Sequence, residues 1–223
     1  IKNESNSFTG AVIFGKGDKI LDNFITELVE KCTAGQYKDQ RYNNLDSSGK
    51  LRVSRKKIAS FYSLNTFTKF AKSIKDSSDF ELIKEFSNKI IVIDEVHNLR
   101  IQDEANSVEN YRHFHRFLHV IKNCKILLLS GTPMKDTPQE IASVMNLILP
   151  IEDQFPEEMN FLAEYMVHED DVWKMRPNKI QDFKNKIRGR VSFLREAPSS
   201  VEKVFLGDKH VNGLKHFIVK PLS

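Results

Sequence analysis

The sequence predicts an α/β domain in which helices cover both faces of a parallel sheet. Three short, almost wholly apolar runs carry this prediction: residues 11–14, 90–93 and 125–129. Such runs are typical of strands that are buried on both sides. Segments with apolar residues at helical spacing separate them, and this alternation is the pattern of a parallel sheet.

Length and composition fit one folded domain with a small appendage. The 223 residues are 40% hydrophobic and 29% charged, and 16 of them are Phe. This is enough apolar material for a core, so disorder throughout the chain is excluded. No apolar run is long enough to span a membrane. The chain begins without Met or a signal peptide, and we expect it to be a piece of a longer protein.

The net charge and the cysteines give only weak evidence on the partner and the cellular compartment of the protein. A net charge of +4 is compatible with a nucleic-acid partner but does not by itself indicate one. Cys32 and Cys124 are far apart, and neither belongs to a CxxC pair. Reduced thiols in an intracellular protein are therefore favoured over a disulfide scaffold.

The first part of the chain is expected to hold two strands, a helix and a long loop. After the strand at 11–14, Asp18 is expected to cap a helix whose apolar spacing extends to Cys32. Residues 33–57 are polar and are expected to be exposed, and residues 58–62 read as the second strand. Five cations lie in the polar segment: Lys50, Arg52, Arg55, Lys56 and Lys57. They could contact phosphates, but no aromatic residue interleaves them, so a role in solubility is favoured.

The middle of the chain predicts three helices. Two lie within residues 65–86 and are separated near 76–79, and a third covers 111–122 after a polar, loop-like stretch at 101–110. The third helix contains three histidines: His113, His115 and His119. His115 and His119 share a face, so a metal pair is conceivable, but no Cys or acid completes a tetrahedral set. A solvated helix face is the favoured interpretation.

A second part of the chain is expected after the last strand. Thr137, Pro138 and Glu140 predict a capping box that opens a helix through Leu149. Beyond Pro150 we expect helices around Trp173 as a core anchor, followed by short strand-like pieces over 191–220. The predicted parts are a sheet domain at 1–150 and a helical and β-linked extension at 151–223.

Two adjacent acids end the strand at 90–93. Asp94 and Glu95 are followed by Val96 and His97, the arrangement of a DExH box. A strand can hold one carboxylate for a nucleotide-bound Mg²⁺ while the next carboxylate orients or deprotonates water. The alternative is an ordinary strand end with a capping Asp and a solvated Glu.

Small hydroxyl residues end the strand at 125–129. Ser130, Gly131 and Thr132 form a tight turn that could hydrogen-bond the acidic motif on the neighbouring strand. The alternative is a plain strand-to-helix turn. The ordered pair of motifs, each on its own apolar strand, favours the core of a nucleotide-hydrolysing helicase.

One segment imitates a phosphate-binding loop. Residues 10–17 match the GxxxxGK spacing. Residues 11–14 are apolar and strand-forming, however, and Gly17 has no hydroxyl for the metal. We therefore reject this segment as a phosphate loop.

With these motifs in place, the sequence resembles superfamily 2 helicases and translocases. Within them it is most similar to a group from large cytoplasmic DNA viruses that includes the small subunit of the poxvirus early transcription factor and poxvirus nucleoside triphosphatase I. The resembling stretches are SFYSLN at 60–65, IVIDEVHN at 91–98, LLLSGTP at 127–133 with DTP at 136–138, and RGRVSF at 188–193.

The resemblance implies a fold and a role for each motif. The fold would be the first RecA-like domain of a helicase, without its phosphate-loop strand and leading toward a second RecA-like domain. Asp94 would hold Mg²⁺, Glu95 would activate water, and His97 would act with the 130–132 turn to couple hydrolysis to movement. Two further sets would touch nucleic acid: Gly15, Lys16 and Gly17, and Ser63 with Thr66.

The resemblance also implies a function and partners. The longer protein would be an ATP-dependent helicase or translocase that uses ATP and Mg²⁺ on DNA or RNA. A viral transcription role would add a viral RNA polymerase or a second transcription-factor subunit as partner, in the virion and host cytoplasm, with no membrane. This chain alone is expected to be inactive.

A non-hydrolysing scaffold with a helicase fold is the alternative. Such a module would bind a polymerase or a virion component. The intact pair of Asp94 and Glu95 argues against it, because a scaffold has no use for paired carboxylates.

Overall fold

Four parallel strands form a sheet in the order β2–β1–β3–β4. The computed structural model describes residues 8–38, 40–99, 105–134, 137–169 and 172–193. The strands of the sheet are β1 (Gly10–Gly15), β2 (Tyr62–Thr66), β3 (Lys89–Ile93) and β4 (Lys125–Leu128). The helices are α1 (Asp18–Glu27), α2 (Ser47–Ile58), α3 (Phe67–Ile74), α4 (Asp79–Phe86), α5 (Ala105–Val120), α6 (Glu140–Asn146), α7 (Glu158–Tyr165) and α8 (Ile180–Ile187). An antiparallel pair, β5 (Met166–Glu169) and β6 (Val172–Met175), lies between the last two helices.

The predicted parallel sheet with helices on both faces is confirmed. Helices α3, α4 and α5 pack on one face, against Val12 and Phe14 of β1 and Ile91 and Ile93 of β3. Helix α1 packs on the other face, where Ala11 and Ile13 contact it. Alternate residues of one strand therefore serve two separate cores.

Aromatic rings fill the larger core. Phe14 lies 4.5 Å from Phe70 and 5.0 Å from Phe114, measured between ring centroids. Phe117 contacts Phe70 at 4.9 Å and Phe86 at 5.2 Å. Most of these rings meet edge to face, the arrangement that aromatic pairs favour. This cluster joins β1 to three helices and fixes the strand that ends at Gly15.

The chain after the sheet packs on α6. Asn146 is buried, and its amide donates to the carbonyl oxygen of Phe155 at 2.8 Å while its oxygen accepts from the Phe155 backbone N–H at 2.8 Å. Residues up to Ile187 belong to one compact unit, and a second unit begins at Arg188. A domain boundary at 150 stays a prediction.

The segment at 33–57 is a loop only in its first part, where the described residues form turns and the short 3₁₀ helix Tyr42–Asn44, and the second strand begins later than expected. Helix α2 covers 47–58, and Asp46 caps it by accepting from the Gly49 backbone N–H at 2.9 Å. Ile58 ends this helix with its side chain buried, so the strand starts at Tyr62. The short apolar run at 58–62 fits the end of a helix as well as it fits a strand.

Helices α1 and α6 do not begin where the expected caps would place their first residues. Asp18 is the first residue of α1 rather than its cap, and its carboxylate pairs with Lys69 at 3.2 Å. Helix α6 begins at Glu140 and ends at Asn146, with no side-chain cap at Gln139. Glu140 is therefore the first residue of α6 rather than the third residue after a capping Thr137, and it is buried.

Three further expectations need correction. Helix α5 begins at Ala105, inside the stretch expected to be a loop. Part of the predicted helical region at 151–188 is the β5–β6 hairpin, and Trp173 on it is 42% exposed rather than a core anchor. Residues 191–193 form no strand, and the strand-like pieces expected at 194–220 lie outside the described residues.

The run at 125–129 was expected to be a buried strand, but β4 is only partly buried: Ile126 and Leu128 pack against the main core and stay partly accessible. Leu127 is 52% exposed on the face opposite the main core, and among the described residues β4 is the edge of the sheet. No helix in the described part of the chain is long and apolar enough to cross a membrane.

Candidate functional site

The two motif-bearing strands lie side by side. Ile93 of β3 is paired with Leu128 of β4, and the pairing continues beyond both strands. The Leu129 N–H donates to the Ile93 carbonyl at 2.9 Å, and the Val96 N–H donates to the Leu129 carbonyl at 3.0 Å. The acidic motif and the hydroxyl turn therefore leave the same edge of the sheet together.

The chain turns sharply at the two acids. The Asp94 N–H still donates to the Phe14 carbonyl at 2.9 Å, so Asp94 extends β3 by one residue beside β1. Glu95 then adopts a φ of +55°, in the left-handed region that side chains other than glycine rarely occupy. The Asp94 carboxylate accepts from the Glu95 N–H at 3.0 Å and so supports this turn.

His97 joins the acid to the hydroxyl turn. It lies in the short 3₁₀ turn Val96–Leu99. Its Nδ1 lies 3.1 Å from Glu95 Oε2 and 3.0 Å from Ser130 Oγ. One ring nitrogen therefore touches both motifs, which the sequence alone placed only on neighbouring strands.

The partners of the His97 ring define its tautomer. A carboxylate only accepts hydrogen bonds, so the nitrogen facing Glu95, Nδ1, carries the proton. On the other side of the ring, the Asn98 amide Nδ2 lies 3.2 Å from Nε2 and 2.9 Å from the Glu95 carbonyl oxygen. This amide donates to both, which leaves Nε2 as an acceptor. The Nδ1 proton therefore faces Glu95 and Ser130.

Asn98 is the site residue that sequence reasoning missed. It stands at the end of the IVIDEVHN stretch, but no role was assigned to it. An amide directly after a DExH box was the available signal, because a histidine that must hold one tautomer needs a partner on its second nitrogen.

Ser130, which His97 contacts, is in turn hydrogen-bonded to the backbone of the hydroxyl turn. Ser130 Oγ accepts from the Thr132 backbone N–H at 3.0 Å. Gly131 and Thr132 are exposed. A continuous set of hydrogen bonds therefore leads from the Glu95 carboxylate through His97 and Ser130 to an exposed backbone turn.

The acids suit a metal that arrives with its own ligands. Asp94 is half-buried at a strand end, and one of its oxygens is used by the Glu95 N–H. Among the described residues there is no group of three or more His, Cys, Asp or Glu that could hold a metal by itself. Mg²⁺ is commonly held by one or two carboxylates together with substrate phosphates and water, and Asp94 fits that donor set.

The predicted nucleic-acid residues lie on the next two strands of the same sheet. Gly15 and Thr66 are register partners at the carboxyl ends of β1 and β2, and Lys16 follows as an exposed side chain. A Cβ at Gly15 would approach Leu21 Cδ2 to 3.0 Å, so this turn has little room for a side chain. Gly17 has open space around its Cα. Ser63 is opposite Val12, so it lies about 10 Å before the strand ends.

The rejected phosphate loop is a strand. All six residues of β1 are buried, so this backbone does not wrap around a phosphate group. The rejection made from sequence is confirmed.

The histidines of α5 do not form a solvated face. The ring centroids of His115 and His119 are 4.2 Å apart, and the His115 Nε2 lies 3.1 Å from Gln154 Oε1. The His119 Nε2 lies 2.9 Å from the Leu149 carbonyl oxygen. Burial, with His119 as a second cause, lowers the pKa of His115. These contacts hold α5 against the chain that follows α6. A structural role therefore accounts for the partial burial of both histidines.

Comparison with known proteins matches this chain to a helicase-related family and to viral proteins named as helicases. A family model described as the SNF2-related domain matches residues 20–207. Candidate helicase 009L of Frog virus 3 (isolate Goorha) is 33% identical over 200 residues, which are 89% of this chain and 20% of the relative. Candidate helicase 087L of Invertebrate iridescent virus 3 is 33% identical over 214 residues, 95% of this chain and 19% of the relative. Candidate ATP-dependent RNA helicase R563 of Acanthamoeba polyphaga mimivirus is 28% identical over 153 residues, 68% of this chain and 25% of the relative. The chain thus spans about a fifth of the first two viral proteins.

Proposed function

Because this chain belongs to the SNF2-related domain family, we propose that it is one part of the ATPase core of an ATP-dependent nucleic-acid translocase or helicase, the part that carries the acidic motif and the turn that couples hydrolysis to movement. One observation carries the proposal: His97 Nδ1 contacts both Glu95 Oε2 and Ser130 Oγ. A single ring thereby connects the acidic motif to the turn after the neighbouring strand.

Each site residue has a defined task in this proposal. Asp94 would hold the Mg²⁺ that arrives with ATP, and this ion would neutralise charge on the phosphates. Glu95 orients the attacking water and accepts its proton. Its carboxylate is 43% exposed, so water can reach it.

The coupling residues respond to the state of Glu95. When Glu95 takes up a proton, its attraction for the His97 N–H weakens, and Ser130 becomes the stronger partner of that N–H. The bond from the Thr132 N–H to Ser130 carries the change to the exposed turn. Gly15, Lys16, Gly17, Ser63 and Thr66 are proposed to contact the nucleic-acid backbone.

The proposal extends to the role of the longer protein. Two of the relatives are viral proteins named as candidate helicases, one from Frog virus 3 and one from Invertebrate iridescent virus 3. We place the protein in viral transcription, close to the poxvirus early transcription factor and nucleoside triphosphatase I, on the motif resemblance described above. A viral RNA polymerase or a second transcription-factor subunit is the matching protein partner.

ATPase activity of the full-length protein, with and without DNA or RNA, tests the proposal. We expect one polymer to stimulate hydrolysis, and we expect Asp94→Ala and Glu95→Gln to lower the stimulated rate by about 100-fold or more. Asp76→Ala is the matched control, because Asp76 is an exposed acid away from the strand ends. A rate that ignores both the polymer and the Asp94 substitution would overturn the proposal and favour the scaffold alternative.

A further inference from the structure

An open groove runs along one face of α2. Its volume is about 520 Å³. The lining residues are Ser48, Leu51, Arg52, Arg55 and Lys56. They recur at spacings of three and one, so they form a single stripe on the helix. We call this stripe the basic groove.

The surface around the basic groove is strongly positive. Helix α2 contains five cations and no acid. Three nearby carboxylates, Asp22, Glu30 and Asp46, face Arg55, Lys38 and Arg52 respectively. The five cations of α2 and Lys38, set against these three carboxylates, leave an excess of three positive charges in this part of the chain.

The cations stand on a fixed element rather than on a loop. Gly49, Ser54 and Ile58 of α2 are buried against the rest of the protein, and the Asp46 carboxylate caps the first turn of the helix. The backbone of a packed helix is already ordered, so binding a polyanion there costs less conformational entropy than binding it on a mobile loop.

The basic groove lies beside α1, the helix that follows β1 and the short turn at Lys16 and Gly17. The Arg55 guanidinium pairs with Asp22 on α1. Asp22 lies one turn after Asp18, about 6 Å along the axis, and Asp18 follows Gly17 directly. The basic groove is therefore close to the turn proposed to touch nucleic acid.

We propose that the basic groove binds the phosphate backbone of the nucleic acid on which the protein moves, as a contact separate from the strand-end residues. This inference rests on the proposed function. Arg52 and Lys56 contact phosphates, and Leu51 with the aliphatic stems of the cations packs against sugars. The Arg55–Asp22 pair is half-exposed and therefore weak, so a phosphate can replace the carboxylate. The described groove offers no aromatic ring for stacking, so binding there is independent of base sequence.

Salt-dependent binding by the full-length protein tests the inference. Fluorescence anisotropy measures the affinity for labelled mixed-sequence duplex DNA, duplex RNA and their single strands over a range of NaCl concentrations. The test variant is Arg52→Gln/Lys56→Gln. Lys84→Gln/Lys184→Gln is the control with the same change in charge, because both lysines are exposed on the distant helices α4 and α8. Arg52→Lys/Lys56→Arg changes the same two positions but keeps their charge, so it separates a loss of charge from a disturbance of the fold.

The expected result is a change in the electrostatic part of binding. The slope of log K against log[salt] should shrink by about 2 in the test variant, roughly one unit for each lost phosphate contact. Affinity should fall on the order of 10- to 100-fold at about 0.1 M salt, whereas the control and the charge-conserving variant should bind as the wild type does.

Two results would overturn the inference, and they differ in what they say about the proposed function. A test variant with the wild-type slope and affinity, in a protein whose ATPase is still stimulated by nucleic acid, rejects the groove alone. A wild-type protein that binds none of the four polymers at any salt concentration rejects both.

Discussion

Glu95 stands in a backbone conformation that costs free energy. Its φ of +55° lies in the left-handed region, which disfavours an L side chain by about 1–2 kcal/mol. A residue that only ended a strand would gain nothing from this conformation. Here it turns the Glu95 carboxylate back toward His97, so the strain lies where the proposed chemistry is.

Replacing Glu95 by Gly and by Ala separates strain from chemistry. Both variants lack the carboxylate and should lose stimulated ATPase activity. Glu95→Gly should nevertheless be about 0.5–1 kcal/mol more stable than Glu95→Ala, because glycine adopts positive φ without steric cost. Urea unfolding measures the difference.

Ala34→Gly is the control for the effect of a glycine at positive φ on stability. Ala34 is exposed, has a φ of +46° and lies away from the site. The substitution should stabilise the protein to a similar extent and leave the ATPase activity unchanged. A Glu95→Gly variant less stable than Glu95→Ala would contradict the left-handed turn.

Helix α4 shows how one element is fixed by its own first turn. Ser78 Oγ accepts from the Glu81 N–H at 3.3 Å, and the Glu81 carboxylate accepts from the Ser78 N–H at 2.7 Å. This capping box satisfies two backbone donors that the helix cannot satisfy itself. Helix α4 contributes Leu82 and Phe86 to the main core, so its start also places those side chains.

The capping box makes α4 sensitive to acid. Hydrogen bonds from Ser78 hold the pKa of Glu81 below its usual value of 4.5. A lowered folded-state pKa means that the contribution to stability is complete above pH 4.5 and is lost as the pH falls through the lower, folded value. Glu81→Gln should therefore weaken α4 at neutral pH but match the wild type in more acidic solution.

Amide hydrogen exchange of α4 measures this prediction directly. Glu85→Gln is the control on the same helix, because Glu85 is exposed and lies outside the box. The control should show the same protection as the wild type at both pH values. A Glu81→Gln difference that persists unchanged in acid would contradict the charged capping box.

At the scale of the whole molecule, the sheet brings distant parts of the chain to one edge. Strands β1, β3 and β4 are separated by many helical residues, yet Phe14, Asp94 and Leu129 are joined by backbone hydrogen bonds to that edge. The aromatic core under β1 and β3 fixes these strand ends on rigid elements. Rigid support of this kind keeps catalytic groups in their working geometry.

Continuous apolar runs made three of the four strands and the core of the site predictable, whereas β2 begins only where its predicted run ends. The runs ending at Asp94 and Ser130 predicted two strands of one sheet, and β3 and β4 are indeed paired, although β4 is only partly buried. Helix α2 could not be found in this way, because its buried residues include Gly49 and Ser54, which carry no apolar signal. The β5–β6 hairpin was missed because Val172 and Trp173 are both exposed, so no alternation marks it.

The coupling between His97 and Ser130 is the most direct test of the whole account. ATPase activity is measured with and without nucleic acid for the wild type, His97→Ala, Ser130→Ala and the double variant of the full-length protein. If the two side chains act through their shared hydrogen bond, the double variant should lose no more stimulation than the worse single variant, with a coupling energy of about 0.5–3 kcal/mol. Losses that simply add, leaving no coupling, would show that the acidic motif and the hydroxyl turn act independently.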